Sequence, residues 1–399
     1  MSDRTVRELG EDHRVAYQAF VDYAFDAASG PRSYDSDELP DQLGRQFGVF
    51  EAGDLRSVCT HHDLTASVRK NWLPLAGLAA VATPPEYRRE GLVRTLVRDS
   101  LERWRGTYPL AALWPFEHAY YRQFGWSLAN TAVEYACPPD ALAFARRAGS
   151  GAGTLRRVDP DEWESLQDIH EAHGVDRGLT LRRDEAWWRR RVFRSLGGGK
   201  RYVYALEREE VDGYVAYTVG GGTLRVADLA FRDHDAYLAL LAFLADHDSQ
   251  VETVTLHGED DSLLGLVDDP AAVDATVTAG AQVRVVDVER ALSALSYPDV
   301  DATLRLAVAD DHAPWNVGTF ELRVADGSGE CRRVDGSGAG GGSGAADATL
   351  GVGPLSQLVV GSRSALELAR TGDLEASEAT VEALTELLPQ ESVYLREYF

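Results

Sequence analysis

Between residues 76 and 104 the hydrophobic residues change from a continuous run to a helical spacing. An apolar run that starts at Ala76 ends at Thr83, and a turn with two prolines follows it. Beyond the turn, apolar residues recur at helical spacing, at Leu92, Leu96, Val97 and Leu101. This pattern predicts a buried strand, a loop and then an amphipathic helix that continues to about residue 104.

Hydrophobic periodicity predicts further elements before and after this segment. An amphipathic helix is expected within 5–29, with paired strands at 46–51 and 54–60 and a buried strand at 110–114. A glycine-rich stretch at 148–153 is typical of a linker. Another set of helices, antiparallel strands, helix and strand begins at residue 155, in the same order as the first.

We therefore predict an α/β (α+β) protein, for which the length allows two or three domains; we place them at 1–148, 149–290 and 291–399. The second domain lacks the arginine- and glycine-containing loop of the first, because its corresponding segment, 229–235, has one arginine and no glycine. In the third domain, a glycine-rich segment at 336–344 is expected to be a loop between two strands.

Composition changes this picture mainly through charge. The 399 residues carry 64 acidic and 40 basic side chains, a net charge of −24, and only Lys70 and Lys200 are lysines. Because salt screens the self-repulsion of such a surface, we interpret it as halophile-like. The same charge argues against a partner that is nucleic acid or an anionic membrane.

The cysteines and the hydropathy of the chain indicate the cellular compartment in which the protein works. Cys59, Cys137 and Cys331 lie far apart and form no C-x-x-C pair, a pattern typical of a reducing environment. No signal peptide opens the chain and no apolar run is long enough for a membrane span. We expect a cytoplasmic protein.

Candidate chemistry lies where the predicted helix starts, at Arg88, Arg89 and Gly91. A helix N-terminus presents unpaired N–H groups and the positive end of the helix dipole, so it suits a phosphate. Glycine lets the backbone approach an anion closely. The pattern indicates a site for a pyrophosphate-bearing cofactor. The alternative is an ordinary arginine-rich helix start after a core strand.

This stretch resembles motif A of the GNAT acetyltransferases, Arg/Gln-x-x-Gly-x-Gly/Ala, which holds the pyrophosphate of acetyl-CoA. Here the motif reads Arg88-x-x-Gly91-x-Val93, and Val93 departs from the small residue expected at the last position. Acetyl transfer needs a proton donor for the leaving thiolate, and a tyrosine hydroxyl can donate without carrying a charge beforehand. Tyr121 is our candidate; the alternative is a packing tyrosine on a short helix.

Several motifs in the same order resemble the Eis (enhanced intracellular survival) family over the whole chain. They are Arg88-Arg89-x-Gly91-Leu92, Tyr121-x-x-Phe124-Gly125-Trp126, Arg182-Arg183-x-x-Ala186-Trp187-Trp188-Arg189-Arg190, Arg284-Val285-Val286-Asp287-Val288 and the final Tyr398-Phe399. The resemblance implies two tandem GNAT-like domains, the second of them degenerate, followed by a sterol-carrier-like domain. It also implies a homo-oligomer, with a hexamer as the expected assembly.

The resemblance further implies roles for individual residues. The cofactor-binding set is Val81 and Thr83, through backbone groups toward the pantetheine arm, and Arg88, Arg89, Gly91 and Leu92 at the pyrophosphate. Tyr121 would be the general acid, and the free carboxylate of Phe399 the general base. Glu90, inside the phosphate loop, and the glycine-rich insert depart from the family pattern.

The function predicted from these residues is transfer of the acetyl group of acetyl-CoA, as co-substrate, to an amine by direct attack. The acceptor would be a small-molecule amine or a lysine. Two alternatives stay open: a non-catalytic CoA- or lipid-binding module, and an acyltransferase that uses a longer acyl-CoA.

Three other groups of residues are weaker candidates for a site. His170 and His173 lie at a helical spacing suited to a metal, but no third ligand is evident, and we predict no metal site. His61 and His62 are interpreted as solvated loop residues. Trp187-Trp188, flanked by arginines, is interpreted as part of an amphipathic core helix rather than a nucleic-acid site.

Overall fold

A computed structural model describes residues 4–35, 39, 42–148, 153–196, 198–334 and 346–399. Residues 149–152 of the linker predicted at 148–153, and the whole loop predicted at 336–344, lie outside these residues. The chain divides into two compact units. The first unit contains residues 1–130 and 281–399, and the second contains residues 131–280.

The strands, in chain order, are β1 Arg4–Glu8, β2 Arg45–Glu51, β3 Asp54–Val68, β4 Asn71–Ala82, β5 Leu110–Leu113, β6 Ser127–Leu128, β7 Thr131–Cys137, β8 Thr154–Arg157, β9 Tyr202–Glu207, β10 Val211–Gly220, β11 Thr223–Phe231, β12 Thr253–Gly258, β13 Asp274–Ala279, β14 Gln282–Val285, β15 Ala302–Ala309, β16 Gly318–Ala325, β17 Ser328–Val334, β18 Ala348–Gly351 and β19 Leu374–Ala376. The α-helices are α1 Arg14–Phe25, α2 Leu92–Trp104, α3 His118–Arg122, α4 Phe144–Ala148, α5 Glu164–Gly174, α6 Glu185–Trp187, α7 His234–Ala245, α8 Val288–Ser293, α9 Val352–Val360, α10 Ala365–Thr371 and α11 Glu378–Leu387.

The first unit contains a seven-stranded sheet in the order β1-β2-β3-β4-β5-β14-β6. Of its described strands, only β4 and β5 pair in parallel, and α2 connects them. The apolar face of α2 is buried in the sheet's core, as the helical spacing predicted, through Leu92, Leu96, Val97, Leu101 and Trp104. The predicted strand–loop–helix segment is therefore confirmed, with the strand as the last part of the longer β4.

Two strands belong to a different sheet from the one that the predicted boundaries indicate. β7, which precedes the predicted boundary at 148, pairs with β12 and β13 in the second unit. β14, which follows the second unit, pairs with β5 and β6 in the first. The boundaries at 148 and 290 stay predictions about folding units, but the strand pairing crosses both.

The second unit contains a seven-stranded sheet in the order β13-β7-β12-β11-β10-β9-β8. Here β11 and β12 are parallel, and α7 lies between them in sequence, so this unit repeats the strand–helix–strand arrangement of β4, α2 and β5. The predicted core helix around Trp187 and Trp188 is short: α6 ends at Trp187 and a π-helical turn, Trp188–Val192, follows directly. Trp188 is fully buried.

The C-terminal part of the first unit forms a five-stranded sheet in the order β17-β16-β15-β18-β19, with β15 and β18 parallel. Helices α8 to α11 accompany it. The fold is therefore mixed α/β, as the sequence predicted, and the described residues form three sheets. Among the helices that the structure describes, none combines the length and the apolar character needed to cross a membrane.

One interpretation of the sequence was wrong. His61 and His62 are not solvated loop residues but lie in β3, where they are 1% and 5% exposed. His61 bonds to the hydroxyl of Ser100 on α2, with 2.8 Å between Nε2 and Oγ. Burial lowers the pKa of His61 to about 3, so its ring is neutral at physiological pH. The strand was not predicted because the run His61-His62-Asp63 is polar in sequence. In the structure the ring of His61 packs as an aromatic side chain against Phe47 and Trp104.

Candidate functional site

The first feature of the site is the point at which the pairing of β4 with β5 ends, here called the β4–β5 split. Their parallel pairing runs only from Leu75 with Leu110 to Leu78 with Leu113. Beyond that point β4 bulges, because an extra residue lies between Ala79 and Ala82 in its pairing with β3, and Ala80 takes a φ of +48°. A bulge bends a strand and increases its twist. The end of β4, including Val81, thus extends past the pairing with β5.

A loop links the end of β4 to α2. It contains a short 3₁₀ turn, Pro85–Tyr87, and then Arg88, Arg89 and Glu90, whose side chains are exposed. Gly91 is the N-cap of α2 with a φ of +80°, and a Cβ built there meets no atom within 4 Å. Glycine is therefore favoured here by its backbone conformation rather than by a lack of space. Arg89 also has a positive φ, +65°, which costs a non-glycine residue about 1–2 kcal/mol.

Two charged residues of this loop, Arg88 and Glu90, have defined partners. The Nε of Arg88 donates to the carbonyl of Thr83 over 3.0 Å, which fixes the start of its side chain. Arg4 donates to the carbonyl of Glu90 over 2.7 Å and lies 3.4 Å from its carboxylate. Arg4 thereby offsets part of the negative charge that Glu90 brings to this loop, although screening weakens such an exposed pair.

Tyr121 lies in α3, which follows β5 and begins at a Glu117 cap. Its side chain is 4% exposed and packs edge-on against Phe116, Tyr120 and Trp126. Among the described residues, none forms a hydrogen bond with its hydroxyl. Burial raises the pKa of this hydroxyl above its ordinary value, so the group is neutral and protonated over the working pH range. It can donate a hydrogen bond to an anion that forms beside it.

The C-terminal residues lie against the first sheet. Trp114, directly after β5, donates from Nε1 to the carbonyl of Glu397 over 2.7 Å, and its ring stacks on Tyr398 with 3.8 Å between centroids. The ring of Phe399 lies 5.7 Å from that of His62. A Cβ built on Gly77 of β4 would stand 3.0 Å from the Phe399 ring. The chain end is thus held beside β3 and β4, just before the split.

The residues that contact this end were not predicted from the sequence. Gly77 is the point of close approach, and its only sequence signal is a glycine inside an apolar strand, which is typical of a position where another group comes near. His62 and Trp114 gave no such signal, because nothing local relates them to Phe399.

The corresponding helix start in the second unit has a different chemistry. Asp233 is the N-cap of α7, and its carboxylate accepts from the N–H of Ala236 over 2.8 Å. The same carboxylate pairs with Arg208 at 2.9 Å. An anion that belongs to the protein therefore already occupies the position that a phosphate would take.

The two histidines weighed as metal ligands bond to backbone carbonyls instead. His170 Nε2 lies 2.8 Å from the carbonyl of Leu181, and His173 Nδ1 lies 3.1 Å from that of Phe231. In the part of the chain that the structure describes, no three His, Cys, Asp or Glu side chains are grouped as metal ligands would be.

Comparison with known families identifies all three parts of the chain. Residues 5–129 and 179–285 each match a model described as an acetyltransferase (GNAT) domain, and residues 288–396 match a sterol carrier protein domain. The predicted order of two GNAT domains and a sterol-carrier-like domain is thereby confirmed.

Comparisons over most or all of the chain also find N-acetyltransferases. The N-acetyltransferase Eis of Mycobacterium tuberculosis is 28% identical over 320 residues, which cover 77% of this chain and 76% of the relative. An uncharacterised N-acetyltransferase of Streptomyces griseus is 30% identical over 365 residues, or 84% of each chain. Among solved structures, Eis1 from Mycobacterium abscessus has a TM-score of 0.76 at 26% identity, covering 99% of this chain and 100% of its own. A GCN5-related N-acetyltransferase from Anabaena variabilis has the same fold, with a TM-score of 0.84 at 22% identity and full coverage of both chains.

Proposed function

The chain belongs to the Eis family of GNAT N-acetyltransferases, and from this premise we propose that it transfers the acetyl group of acetyl-CoA to an amine. The observation that carries the proposal is the β4–β5 split followed by the arginine- and glycine-containing start of α2. The end of β4 offers peptide groups from Val81 and Thr83 to the pantetheine arm, whose amides need such partners. The acceptor is a small-molecule amine or a lysine.

The pyrophosphate binds at the start of α2. The first N–H groups of this helix, beginning at Leu92, have no partner inside the helix, and the dipole favours an anion there. Since the side chain of Leu92 is buried in the core, only its backbone contributes. Arg88 and Arg89 add charge-assisted hydrogen bonds from exposed positions.

Transfer proceeds by direct attack of the neutral amine on the thioester carbonyl. The C–N bond forms and yields a tetrahedral oxyanion, and the C–S bond then breaks to release the CoA thiolate. The Tyr121 hydroxyl donates its proton, or a strong hydrogen bond, to that thiolate. A thiol has an ordinary pKa of about 8.5, lower than that of a buried tyrosine. Complete transfer of the proton from Tyr121 to sulfur therefore requires that burial also raises the pKa of the CoA thiol.

The terminal carboxylate of Phe399 accepts the proton that the attacking nitrogen must lose. Its ordinary pKa of about 3.3–3.7 makes it a weak base toward a free ammonium. It becomes adequate as the C–N bond forms, because the nitrogen then turns more acidic, and a bridging water can carry the proton. The contacts of Tyr398 and Phe399 with the first sheet support this role, since they hold the carboxylate in place.

Calorimetric titration with acetyl-CoA tests the assignment of the phosphate loop. We expect Arg88→Ala and Arg89→Ala each to weaken binding by about 10- to 100-fold, because a charge-assisted contact contributes about 1.5–3 kcal/mol. Arg370→Ala, on the exposed surface of α10, is the control that changes the net charge equally. Unchanged affinity in both loop variants at matched salt would remove the basis for this cofactor site.

The same titration tests whether the second unit binds the co-substrate. We expect one acetyl-CoA per chain, because the carboxylate of Asp233 caps α7 and would repel a pyrophosphate. Two CoA sites per chain would contradict this expectation. Asp233→Ser is a useful variant here, since serine keeps a capping oxygen and removes the charge.

A further inference from the structure

The C-terminal turn of α3 is held by two hydrogen bonds from distant parts of the first unit. Nε2 of His312, in the loop after β15, lies 3.0 Å from the carbonyl of Gln123. Nη1 of Arg284, in β14, donates to the carbonyl of the next residue, Phe124. Both acceptors come directly after the helix that contains Tyr121.

Asp310 links the two donors, through an ion pair with Arg284 and a hydrogen bond from the backbone of His312. Arg284 is fully buried, and its Nη2 lies 2.7 and 2.9 Å from the two carboxylate oxygens of Asp310. Asp310 also accepts from the backbone N–H of His312 over 2.9 Å and from the side-chain amide of Asn316 over 3.1 Å. A buried charge that is paired and hydrogen-bonded in this way has one well-defined position.

The backbone after α3 approaches Arg284 closely at Gly125. Gly125 has a φ of +85°, and a Cβ built on it would lie 1.9 Å from Nη1 of Arg284. Any side chain at position 125 would therefore displace the guanidinium. The close approach requires a glycine both for its conformation and for its lack of a side chain.

We propose that Arg284, Asp310 and His312, here called the α3 clamp, position the hydroxyl of Tyr121 for catalysis. This inference rests on the proposed function of Tyr121. α3 has only five residues, too few to be stable by itself. Since no described residue bonds to the Tyr121 hydroxyl, its position depends on ring packing and on the backbone that the clamp holds. Asp310 and His312 belong to the sterol-carrier-like region, so this region contributes to the rate of transfer from a distance.

His312→Ala is the variant of choice, because removing either partner of the buried ion pair risks the fold. It deletes one of the two hydrogen bonds and leaves Arg284 and Asp310 intact. A small misplacement of a catalytic group is costly, so we expect kcat to fall about tenfold while the KM for acetyl-CoA changes little. His312→Gln, which keeps a side-chain donor, should restore most of the rate. Thermal unfolding and the Kd for acetyl-CoA control for damage to the fold and to the cofactor site.

A double-mutant comparison separates positioning from a general structural effect. In the Tyr121→Phe background, His312→Ala should leave kcat unchanged within about twofold, because the group it positions is gone. An equal loss in both backgrounds, or a wild-type rate for His312→Ala alone, would overturn the α3 clamp and leave the proposed function standing. A normal rate for Tyr121→Phe would overturn the role of Tyr121 and the clamp together.

Discussion

Tyr121→Phe is expected to lower kcat for acetyl transfer by about 10²- to 10⁴-fold, with little change in the KM for acetyl-CoA. Phenylalanine keeps the ring, which is almost fully buried among Phe116, Tyr120 and Trp126. Only the proton donor is removed, and it acts when the thiolate leaves rather than when acetyl-CoA binds. Steady-state kinetics of CoA release, with saturating amine, give both constants.

Tyr120→Phe is the matched control, since it removes a hydroxyl from the adjacent residue of the same helix. Its rate should stay close to that of the unmodified protein. If Tyr121 is a packing residue instead, the two variants will behave alike, with losses below about threefold, and the assignment of Tyr121 as the acid is wrong.

Extension of the chain beyond Phe399 by a few residues should reduce kcat by about 10²-fold, while acetyl-CoA still binds with its normal Kd. The extension converts the terminal carboxylate into a peptide group and moves the charge away. The rings of Tyr398 and Phe399 stay available for Trp114 and His62, so the extended protein should fold.

An equally long extension at the N-terminus is the control for added mass and flexibility, and it should have no effect. The rival role for Tyr398 and Phe399 is purely structural, with the rings filling a groove. Normal turnover by the C-terminally extended protein would favour that role and exclude the Phe399 carboxylate as the base. Loss of acetyl-CoA binding would point instead to damage of the first sheet.

Local sequence patterns predicted the part of the site that local chemistry builds. The strand that ends near Thr83, the arginines, Gly91 and the helix from Leu92 to Trp104 are contiguous, so their periodicity and turn residues are visible in one stretch. The split of β4 from β5 was not visible in this way. It depends on a bulge at Ala80 and on the end of β5, about thirty residues later.

Long-range contacts explain most of what the sequence could not provide. β14 enters the first sheet from beyond the second unit, and Arg284 within it meets Asp310 and Phe124. Local hydrophobic patterns do not predict such partners, because pairing between distant segments depends on the whole topology. The halophile-like surface and the hexameric assembly also stay predictions, since no described contact tests either one.

The most direct test of acetyl transfer is CoA-thiol release from acetyl-CoA in the presence of a panel of small amines and lysine peptides. Acyl-CoAs of increasing chain length are assayed in parallel. We expect release that depends on the amine, fastest with the acetyl thioester and accompanied by an N-acetylated product. Tight binding of acetyl-CoA without amine-dependent release would contradict an acetyltransferase and favour a CoA- or lipid-binding module, and faster release from a longer acyl-CoA would contradict acetyl as the transferred group.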